Sequence, residues 1–264
     1  MAVYDRWAEF YDIVHQGLPG EAEFYVGQAV RIGGRTLELG CGTGRIAIPI
    51  AMSGGDVTGL DNSGPMLERC RAKLRAVGKT AGALRLVQAD MTDFDLGEQF
   101  DLIVMPYRTF MHLMTPAAQR RCLETARRHL QRDGVFMLNM WVPKPLQIAA
   151  QSGPQGGGLR LAGRYPIPSS ADTLVHYCSS TYDEAEQLLI EEHLIHEVDA
   201  AGRVRRSVTL PLVRTWVTRR EMDNLVRLCG FAVEALFGDF DCRPFGASST
   251  EMLWVLRDGG NLHG

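Results

Sequence analysis

The segment Leu37–Gly44, with the sequence Leu-Glu-Leu-Gly-Cys-Gly-Thr-Gly, constrains the fold of this chain more than any other segment. It places three glycines at alternate positions, next to an acidic residue in a short apolar run. Glycine allows a backbone with positive φ, and it lets a ligand lie against the main chain because no Cβ intervenes. The following residues, Arg45–Ala51, are mostly apolar. The segment therefore predicts a strand, a tight turn and a helix start, which is where an α/β sheet binds a nucleotide-like ligand.

The glycine spacing distinguishes between ligand types. It is G-x-G-x-G with Glu38 before it, and not the dinucleotide-binding pattern G-x-G-x-x-G. A helix N-terminus suits a pyrophosphate, whereas a carboxylate beside the turn suits a cation or an ammonium donor. A glycine-rich loop by itself is sometimes only a structural turn, so the interpretation depends on the segments that follow.

Three further apolar runs predict strands, and the first of them ends in an acid that suits a nucleoside. Val57–Leu60 ends in Asp61, 17 residues past Gly44, and an acid at the end of a second strand can accept hydrogen bonds from both hydroxyls of a ribose. Ala83–Gln88 is predicted as a third strand ending near Asp90. Phe100–Met105 is predicted as a fourth strand. Strands that alternate with helices favour right-handed βαβ units and a parallel sheet.

This series of strand ends resembles the class I S-adenosylmethionine-dependent methyltransferases. The resemblance implies an α/β fold: a Rossmann-like seven-stranded sheet, mostly parallel, with one antiparallel strand in a C-terminal hairpin and helices on its faces. It also implies S-adenosyl-L-methionine as the cofactor. The residues that the resemblance assigns to cofactor binding are Tyr11, Glu38, Gly40, Cys41, Gly42, Asp61, Asn62, Met66, Asp90, Met91 and Met105. Within this set, Asp90 would accept a hydrogen bond from the adenine amino group, Met91 would contribute backbone, and Met66 would pack on the adenine ring or the ribose.

The N-terminal residues 4–12 look like the lid helix of that family. Tyr11 would then close over the methionine part of the cofactor, while Tyr4 and Trp7 would shield the pocket. The alternative is an amphipathic helix whose aromatic side chains only pack on the sheet.

Residues 1–141 and 215–264 are predicted to form the methyltransferase core. Ser63 is predicted to cap a helix that has Pro65 in its first turn. Thr115-Pro116 caps a helix that runs to about Gln131, and Val135–Trp141 is the fifth strand. Thr218–Glu221 is a capping box for a helix that continues through Leu228. A closing hairpin, with strands at Phe231–Phe237 and Glu251–Arg257, completes the sheet.

Residues 142–214 are predicted to be a β-rich insertion after the fifth strand, with no signal for a helix. Residues 142–158 are rich in Pro, Gly, Gln and Ser and predict an irregular connection. Extended segments follow, with hairpin turns at Asp183–Glu186 and Asp199–Gly202. Both faces of these strands carry apolar residues, which favours an insertion that forms the acceptor pocket or the interface of a homodimer. Extra strands of this kind resemble small-molecule methyltransferases, including the sugar N-methyltransferases.

Methyl transfer from a sulfonium needs alignment and exclusion of water more than it needs reactive side chains. The acceptor-binding candidates, Tyr107, Arg108 and Trp141, follow or end the fourth and fifth strands. Arg108 could hold a carboxylate or phosphate of the acceptor, or pair with an acid such as Asp239 or Asp241. A base is needed only if the acceptor must lose a proton, and His112 is the candidate for that role. The alternative for His112 is a partly exposed surface histidine.

Composition excludes several other classes of protein. A net charge of −3 and a pI of about 6.2 give no general attraction to nucleic acid. No apolar run approaches the ~20 residues of a membrane span, and charged residues within the first 30 positions argue against a signal peptide. Six scattered cysteines predict reduced thiols and a cytoplasmic protein. No metal site is expected, because His193 and His196 lie three apart on a predicted strand and would point to opposite faces.

The sequence therefore predicts an enzyme that transfers a methyl group from S-adenosyl-L-methionine to an O, N or C atom of a small-molecule acceptor. The alternatives are a methyltransferase that acts on tRNA or protein, and a non-catalytic protein that only binds the cofactor. Fold alone does not identify the acceptor.

Overall fold

The computed structural model describes residues 2–152, 157–168 and 170–260, which form two compact units. The strands are β1 (Arg35–Leu39), β2 (Asp56–Asp61), β3 (Ala83–Gln88), β4 (Phe100–Met105), β5 (Leu130–Trp141), β6 (Arg160–Pro166), β7 (Thr173–Asp183), β8 (Leu188–Val198), β9 (Val204–Thr215), β10 (Phe231–Phe237) and β11 (Glu251–Asp258). The α-helices are α1 (Tyr11–Val14), α2 (Glu21–Ile32), α3 (Ala47–Met52), α4 (Gly64–Val77), α5 (Pro116–Arg128), α6 (Pro145–Gln151) and α7 (Arg219–Leu228). None of the helices in the described part of the chain is long and apolar enough to cross a membrane.

The first unit comprises residues up to 5, 17–142 and 217 onwards, and is built on a seven-stranded sheet. The strand order is β10-β11-β5-β4-β1-β2-β3. Neighbouring strands from β5 to β3 run parallel, and β11 is antiparallel to both β5 and β10. This confirms the predicted fold class. The strand order reverses between β1 and β4, and ligands of such sheets bind in the crevice at that point, beyond the carboxyl ends of the strands.

Local signals determine where the helices of this unit begin. The side chain of Ser63 accepts a hydrogen bond from the backbone of Met66 at the start of α4, and Thr115 caps α5 in the same way. Thr218 forms the predicted capping box with Glu221 at the start of α7. Each of these helix starts is confirmed at the predicted residue.

One core cluster of the first unit lies between the sheet and the helices α2 and α3. The residues of β1 and β4 are almost entirely buried, as expected for central parallel strands that are covered on both faces. The largest side chains in this core cluster come from α2, from α3 and its approach, and from the loop before β11: Phe24, Tyr25, Ile46, Ile50 and Phe240. This packing fixes the carboxyl ends of β1 and β4, where the candidate site lies.

The second unit comprises residues 6–16 and 143–216. Its sheet has the order β6-β7-β8-β9, and each neighbouring pair is antiparallel. The predicted extended segments and both hairpin turns are confirmed. The prediction that this segment lacks a helix was wrong, because Pro145–Gln151 forms α6. Pro145 lies in the first turn of α6, where the missing N–H removes no helical hydrogen bond. The surrounding Pro, Gly and Ser residues are typical of loops, so the sequence pattern did not predict the helix. Residues 153–156 of the predicted irregular connection lie outside the described part of the chain.

The predicted continuous lid helix over residues 4–12 was also wrong. Val3–Asp5 is a short 3-10 helix, turns follow, and α1 begins only at Tyr11. The two pieces belong to different units, since Val3–Asp5 lies in the first unit and residues 6–16 lie in the second. The turns bury Trp7, Ala8 and Phe10, which a single helix face would not bring together.

Candidate functional site

The glycine turn after β1 has the backbone that the sequence pattern predicts. Gly40, Gly42 and Gly44 have φ angles of 73°, 53° and 81°, a region that side chains rarely tolerate. A Cβ at Gly40 would also collide with the side chain of Thr109. The backbone N–H groups of Gly40 and Cys41 both donate to the carbonyl of Leu60, at 2.8 and 3.0 Å, which ties the turn to the end of β2. The turn therefore presents main chain without a Cβ at its three glycines, and its two hydrogen bonds to Leu60 restrain it.

Glu38 lies at the start of this turn with its carboxylate buried. Its Oε2 atom is completely enclosed and has no hydrogen-bond partner among the described residues. Burial raises the pKa of Glu38 to about 8, with the opposing charge of Arg45 as the main force that lowers it. An enclosed carboxylate oxygen without a partner is costly. The turn therefore offers a strong acceptor for a cationic or ammonium group.

Asp61 lies at the end of β2, and its carboxylate accepts hydrogen bonds from backbone N–H groups. Gly42 N–H donates to its Oδ2 atom and Ser63 N–H to its Oδ1 atom, both at 2.8 Å. Burial raises the pKa of this carboxyl group, and the two backbone bonds oppose that rise. A carboxylate oxygen accepts more than one hydrogen bond, so both oxygens keep the capacity to accept from a pair of hydroxyls. The sequence prediction of a ribose acceptor is compatible with this geometry.

The other predicted cofactor residues differ in exposure. Asn62 is exposed, and Met66 is buried beside the turn, with its Cε atom 3.2 Å from where a Cβ of Gly42 would be. Asp90 is exposed, and its Oδ1 atom accepts from the N–H and the hydroxyl of Thr92 at 2.8 Å. Met91 is half-buried.

Met105 and Cys41 of the predicted cofactor set are also buried. Met105 ends β4 with its side chain in the core, so it can offer only backbone to a ligand. Burial raises the pKa of the Cys41 thiol well above its usual value, with Glu38 and Asp61 adding to the effect. Cys41 is therefore a neutral packing residue of the turn and not a thiolate.

The chain adopts an unusual backbone immediately after β4. Tyr107 and Arg108 have φ angles of 55° and 64°, in the left-handed region that non-glycine residues seldom occupy. Glu21, at the start of α2, is fully buried and accepts from the N–H of Tyr107 at 2.6 Å. Its other oxygen pairs with Arg45 at 2.7 Å, and the Arg45 guanidinium lies 4.7 Å from the centre of the Tyr107 ring. These contacts hold the backbone in its strained form.

Arg108 is the second residue of this strained turn, and its guanidinium is already paired. It donates to Glu251 at the start of β11, with the Nε···Oε1 distance at 3.1 Å and a second bond from Nη2. The other oxygen of Glu251 accepts from Asn139 at 2.9 Å, and Asn139 in turn accepts from the hydroxyl of Tyr25 at 3.1 Å. The predicted pairing of Arg108 with Asp239 or Asp241 was wrong: both of those acids pair with Arg243. The correct partner lies on the strand that borders β5.

His112 ends a short 3-10 helix that spans Thr109–His112. In such a helix residues three apart lie on the same side, so His112 shares a side with Thr109, which contacts the glycine turn. The Nε2 atom of His112 is 3.0 Å from the hydroxyl of Tyr4. His112 is half-buried.

The two remaining predicted residues occupy separate places. Trp141 is half-buried at the end of β5, directly opposite Glu251 in the register with β11. Tyr11 belongs to the second unit, where its ring packs against the ring of His15 at 4.9 Å. The roles of Trp141 in acceptor binding and of Tyr11 in cofactor binding stay predictions.

Sequence reasoning missed the acids and amides that support the site. Glu21, Arg45, Asn139 and Glu251 were not predicted to have a role, although together they hold the turn after β4. A usable signal existed for Glu251, since an acid that directly precedes the apolar run of β11 needs a partner when it is buried. Asp5 was missed as well: it accepts from the Ser63 hydroxyl at 2.7 Å and so ties the N-terminal segment to the end of β2.

Comparison with known proteins gives consistent similarities. Residues 36–134 match the protein family described as Methyltransferase domain. The chain is 29% identical over 259 residues to the cypemycin N-terminal methyltransferase of a Streptomyces species, covering 97% of each. It is 27% identical over 245 residues to the dTDP-3-amino-3,6-dideoxy-alpha-D-glucopyranose N,N-dimethyltransferase of Streptomyces fradiae, covering 88% of this chain and 86% of the relative. The solved structure of the CcbJ methyltransferase from Streptomyces caelestis aligns with a TM-score of 0.79 at 26% identity, covering 97% of both chains.

Proposed function

We propose that this chain, which is a class I S-adenosylmethionine-dependent methyltransferase, transfers the methyl group to an amino nitrogen of a small-molecule acceptor. Of two relatives that align over most of the chain, one is by name an N,N-dimethyltransferase of an amino sugar nucleotide, and the other is an N-terminal methyltransferase. Methylation at nitrogen by the amino sugar relative is the observation that carries the proposal. The sequence alone left oxygen, nitrogen and carbon acceptors open.

The residues around the glycine turn fit S-adenosyl-L-methionine. The unpartnered Oε2 atom of Glu38 is suited to the ammonium group of its methionine part. Gly40 and Gly42 present main chain without a Cβ, which allows a ligand to approach it closely, and a Cβ at either position would also meet Thr109 or Met66. Asp61 retains acceptor capacity for the ribose hydroxyls. When bound, the cofactor supplies an electrophilic methyl group on a sulfonium, and the chain has to position the acceptor in line with it.

We propose that His112 takes the proton that an amine acceptor must lose. An amine is largely protonated near neutral pH, and an ammonium nitrogen has no lone pair to attack the methyl group. His112 is the half-buried imidazole on the same side of its 3-10 helix as Thr109, and it lies within hydrogen-bond distance of the Tyr4 hydroxyl. Imidazole has a pKa suited to proton transfer near neutrality. Tyr4 then orients the ring.

We propose that Arg108 acts mainly as an anchor for the turn after β4. Glu251 neutralises its charge, and separating a partly buried pair to bind an acceptor anion would leave Glu251 uncompensated. Tyr107 and Trp141, both half-buried, are the better candidates for acceptor contacts from this part of the site. An aromatic lining suits a small organic acceptor.

Matched acceptors test this proposal. The enzyme is incubated with S-adenosylmethionine and pairs of compounds that differ only by an amino or a hydroxyl group at one position, such as an amino sugar and its parent sugar. Release of S-adenosylhomocysteine and the mass of the product are measured. We expect methylation of the amine and none of the matched alcohol. Methylation of the alcohol alone would contradict the proposal that the acceptor atom is nitrogen. Methylation of a peptide N-terminus, with none of the small amines methylated, would contradict the proposal that the acceptor is a small molecule.

A further inference from the structure

Three side chains of types that can bind a metal ion, a cysteine, a histidine and a glutamate, lie close together on one face of the sheet in the second unit. Cys178 on β7 lies directly opposite His193 on β8 in the strand register, and Glu191 precedes His193 by two residues, which places it on the same face. The Sγ atom of Cys178 is 4.0 Å from Nε2 of His193, and that nitrogen is 4.0 Å from Oε2 of Glu191. All three ligand atoms lie within 4.8 Å of one another.

Neighbouring side chains already orient two of these three groups. Nε2 of His176 lies 2.9 Å from Nδ1 of His193, which fixes the ring so that its Nε2 atom faces Cys178 and Glu191. Arg214 donates to Glu191 through Nε at 3.1 Å and through Nη2. Metal-ligating histidines and carboxylates typically have such outer hydrogen bonds.

Two of the three side chains are buried, and Cys178 is half-buried. His193 and Glu191 are only 6% and 9% exposed, and the Trp7 ring packs edge-on against His193 at 4.8 Å. The same sheet buries the polar residue His176 and the aliphatic residues Leu189, Ile195, Leu210 and Leu212. Glu191 and His193 already have hydrogen bonds to Arg214 and His176, whereas the Cys178 thiol and the His193 imidazole, 4.0 Å apart, make at best a weak hydrogen bond to each other.

We propose that Cys178, Glu191 and His193 bind one Zn²⁺ ion, with a fourth position open to water or to a donor atom of a small ligand. Zinc bonds of about 2.0 Å to nitrogen and oxygen and about 2.3 Å to sulfur place tetrahedral ligands roughly 3.5 Å apart. The side chains therefore need to move by less than about 1 Å. A thiolate, a carboxylate and a neutral imidazole suit zinc in both softness and charge. The ion joins β7 to β8 within the second unit.

His196 is not part of this site. It lies on the opposite face of β8 from His193, as the spacing predicts. The two other proposed ligands lie on the same face as His193, one on β8 and one on the neighbouring strand β7. The grouping depends on the register between β7 and β8. Spacing along the chain alone does not reveal it.

Cobalt substitution in the full-length protein tests the site. The protein is treated with a chelator, kept reduced by a non-thiol reductant, and titrated with Co²⁺ as a spectroscopic probe for Zn²⁺. We expect one equivalent of Co²⁺ to bind with a thiolate-to-cobalt charge-transfer absorption, and Zn²⁺ to displace it. Cys178→Ser should lose that absorption. Cys242→Ser, which removes an exposed thiol of the first unit, should keep it.

A second pair of variants makes the test independent of the cysteine. Glu191→Gln keeps the shape of the ligand and should weaken Co²⁺ binding by at least about tenfold, while His196→Asn should leave it unchanged. S-adenosylhomocysteine binding, measured in every variant, serves as the check that the protein is folded. The proposal is overturned if folded wild-type protein binds no stoichiometric Co²⁺ with this absorption. It is also overturned if the absorption persists in Cys178→Ser or disappears in Cys242→Ser.

Discussion

Glu21 and Tyr107, 86 positions apart in the sequence, are joined by a hydrogen bond of 2.6 Å from the backbone N–H of Tyr107 to the buried carboxylate. The same carboxylate pairs with Arg45 and accepts from the N–H of Leu18 at 3.2 Å. Tyr107 needs this support because its φ angle of 55° is unfavourable for a residue with a side chain. One acid at the start of α2 thus shapes the turn beyond β4.

Removing that acid should destabilise the protein. In Glu21→Ala, Arg45 loses its buried partner and the N–H of Tyr107 loses its acceptor, so we expect the free energy of unfolding to fall by about 3 kcal/mol or more. Urea unfolding followed by circular dichroism measures the change. Glu23→Ala, at an exposed position of the same helix, should stay within about 0.5 kcal/mol of the wild type. Equal stability of the two variants would show that the buried contacts do not hold the turn.

Asp61 should contribute to cofactor binding through the ribose. Asp61→Ala removes the acceptor for two hydroxyls, and we expect a loss of about 1–3 kcal/mol, or roughly 5- to 150-fold in affinity for S-adenosylhomocysteine. Calorimetric titration measures this. Asp56→Ala, at the exposed opposite end of β2, is the matched control and should bind normally. Wild-type affinity in the Asp61 variant would overturn the ribose assignment.

Glu38 should make cofactor binding dependent on pH. Its pKa of about 8, raised by burial, means that the carboxyl group is protonated near pH 7 in the free enzyme. Binding an ammonium group requires the ionised form, so a proton must leave. Affinity for S-adenosylhomocysteine should therefore rise with pH, by up to about tenfold per unit, and stop rising near pH 8, where the ligand amine also begins to deprotonate.

Calorimetry in two buffers of different ionisation heat measures that proton release. Glu38→Gln carries no titrating carboxyl, so its affinity should no longer rise between roughly pH 6 and pH 8. Proton uptake on binding to the wild type, or the same pH slope in the variant, would show that Glu38 does not face the ammonium group.

His112 should affect the chemical step and not cofactor binding. We expect His112→Asn to lower kcat for an amine acceptor by about a hundredfold near pH 7, because a general base typically contributes 10²–10⁴-fold. The loss should shrink as the pH rises and the free amine becomes available without a base. S-adenosylhomocysteine affinity should be unchanged, and His196→Asn should have wild-type kcat. A loss that is the same at every pH would indicate a structural role for His112.

Local features of this fold could be predicted from the sequence because their physical cause is local. The caps at Ser63, Thr115 and Thr218 depend on a few adjacent residues, and the glycine turn depends on φ angles that glycine alone adopts readily. The strand ends with Glu38 and Asp61 followed from apolar runs of the right length. The helix α6 was missed because its Pro-rich surroundings resemble a loop.

The supporting residues of the site could not be predicted, because their positions depend on contacts far along the sequence. Glu251 reaches Arg108 only because β11 inserts antiparallel beside β5. Cys178 meets His193 through the register of a hairpin. In both cases the residue type alone does not identify the partner. For Arg108 the sequence also contains acids that are nearer along the chain, such as Asp239, which pairs with Arg243.

The central claim is that Glu38 binds the ammonium group in the methionine part of the cofactor and that Asp61 binds the ribose hydroxyls. Calorimetry with two ligands tests it most directly: S-adenosylhomocysteine, and 5′-methylthioadenosine, which lacks the amino-acid part. We predict that Glu38→Gln weakens S-adenosylhomocysteine by at least about tenfold and leaves 5′-methylthioadenosine within about twofold of the wild type, whereas Asp61→Ala weakens both ligands. Equal weakening of both ligands by Glu38→Gln, or no weakening of either, would contradict the claim.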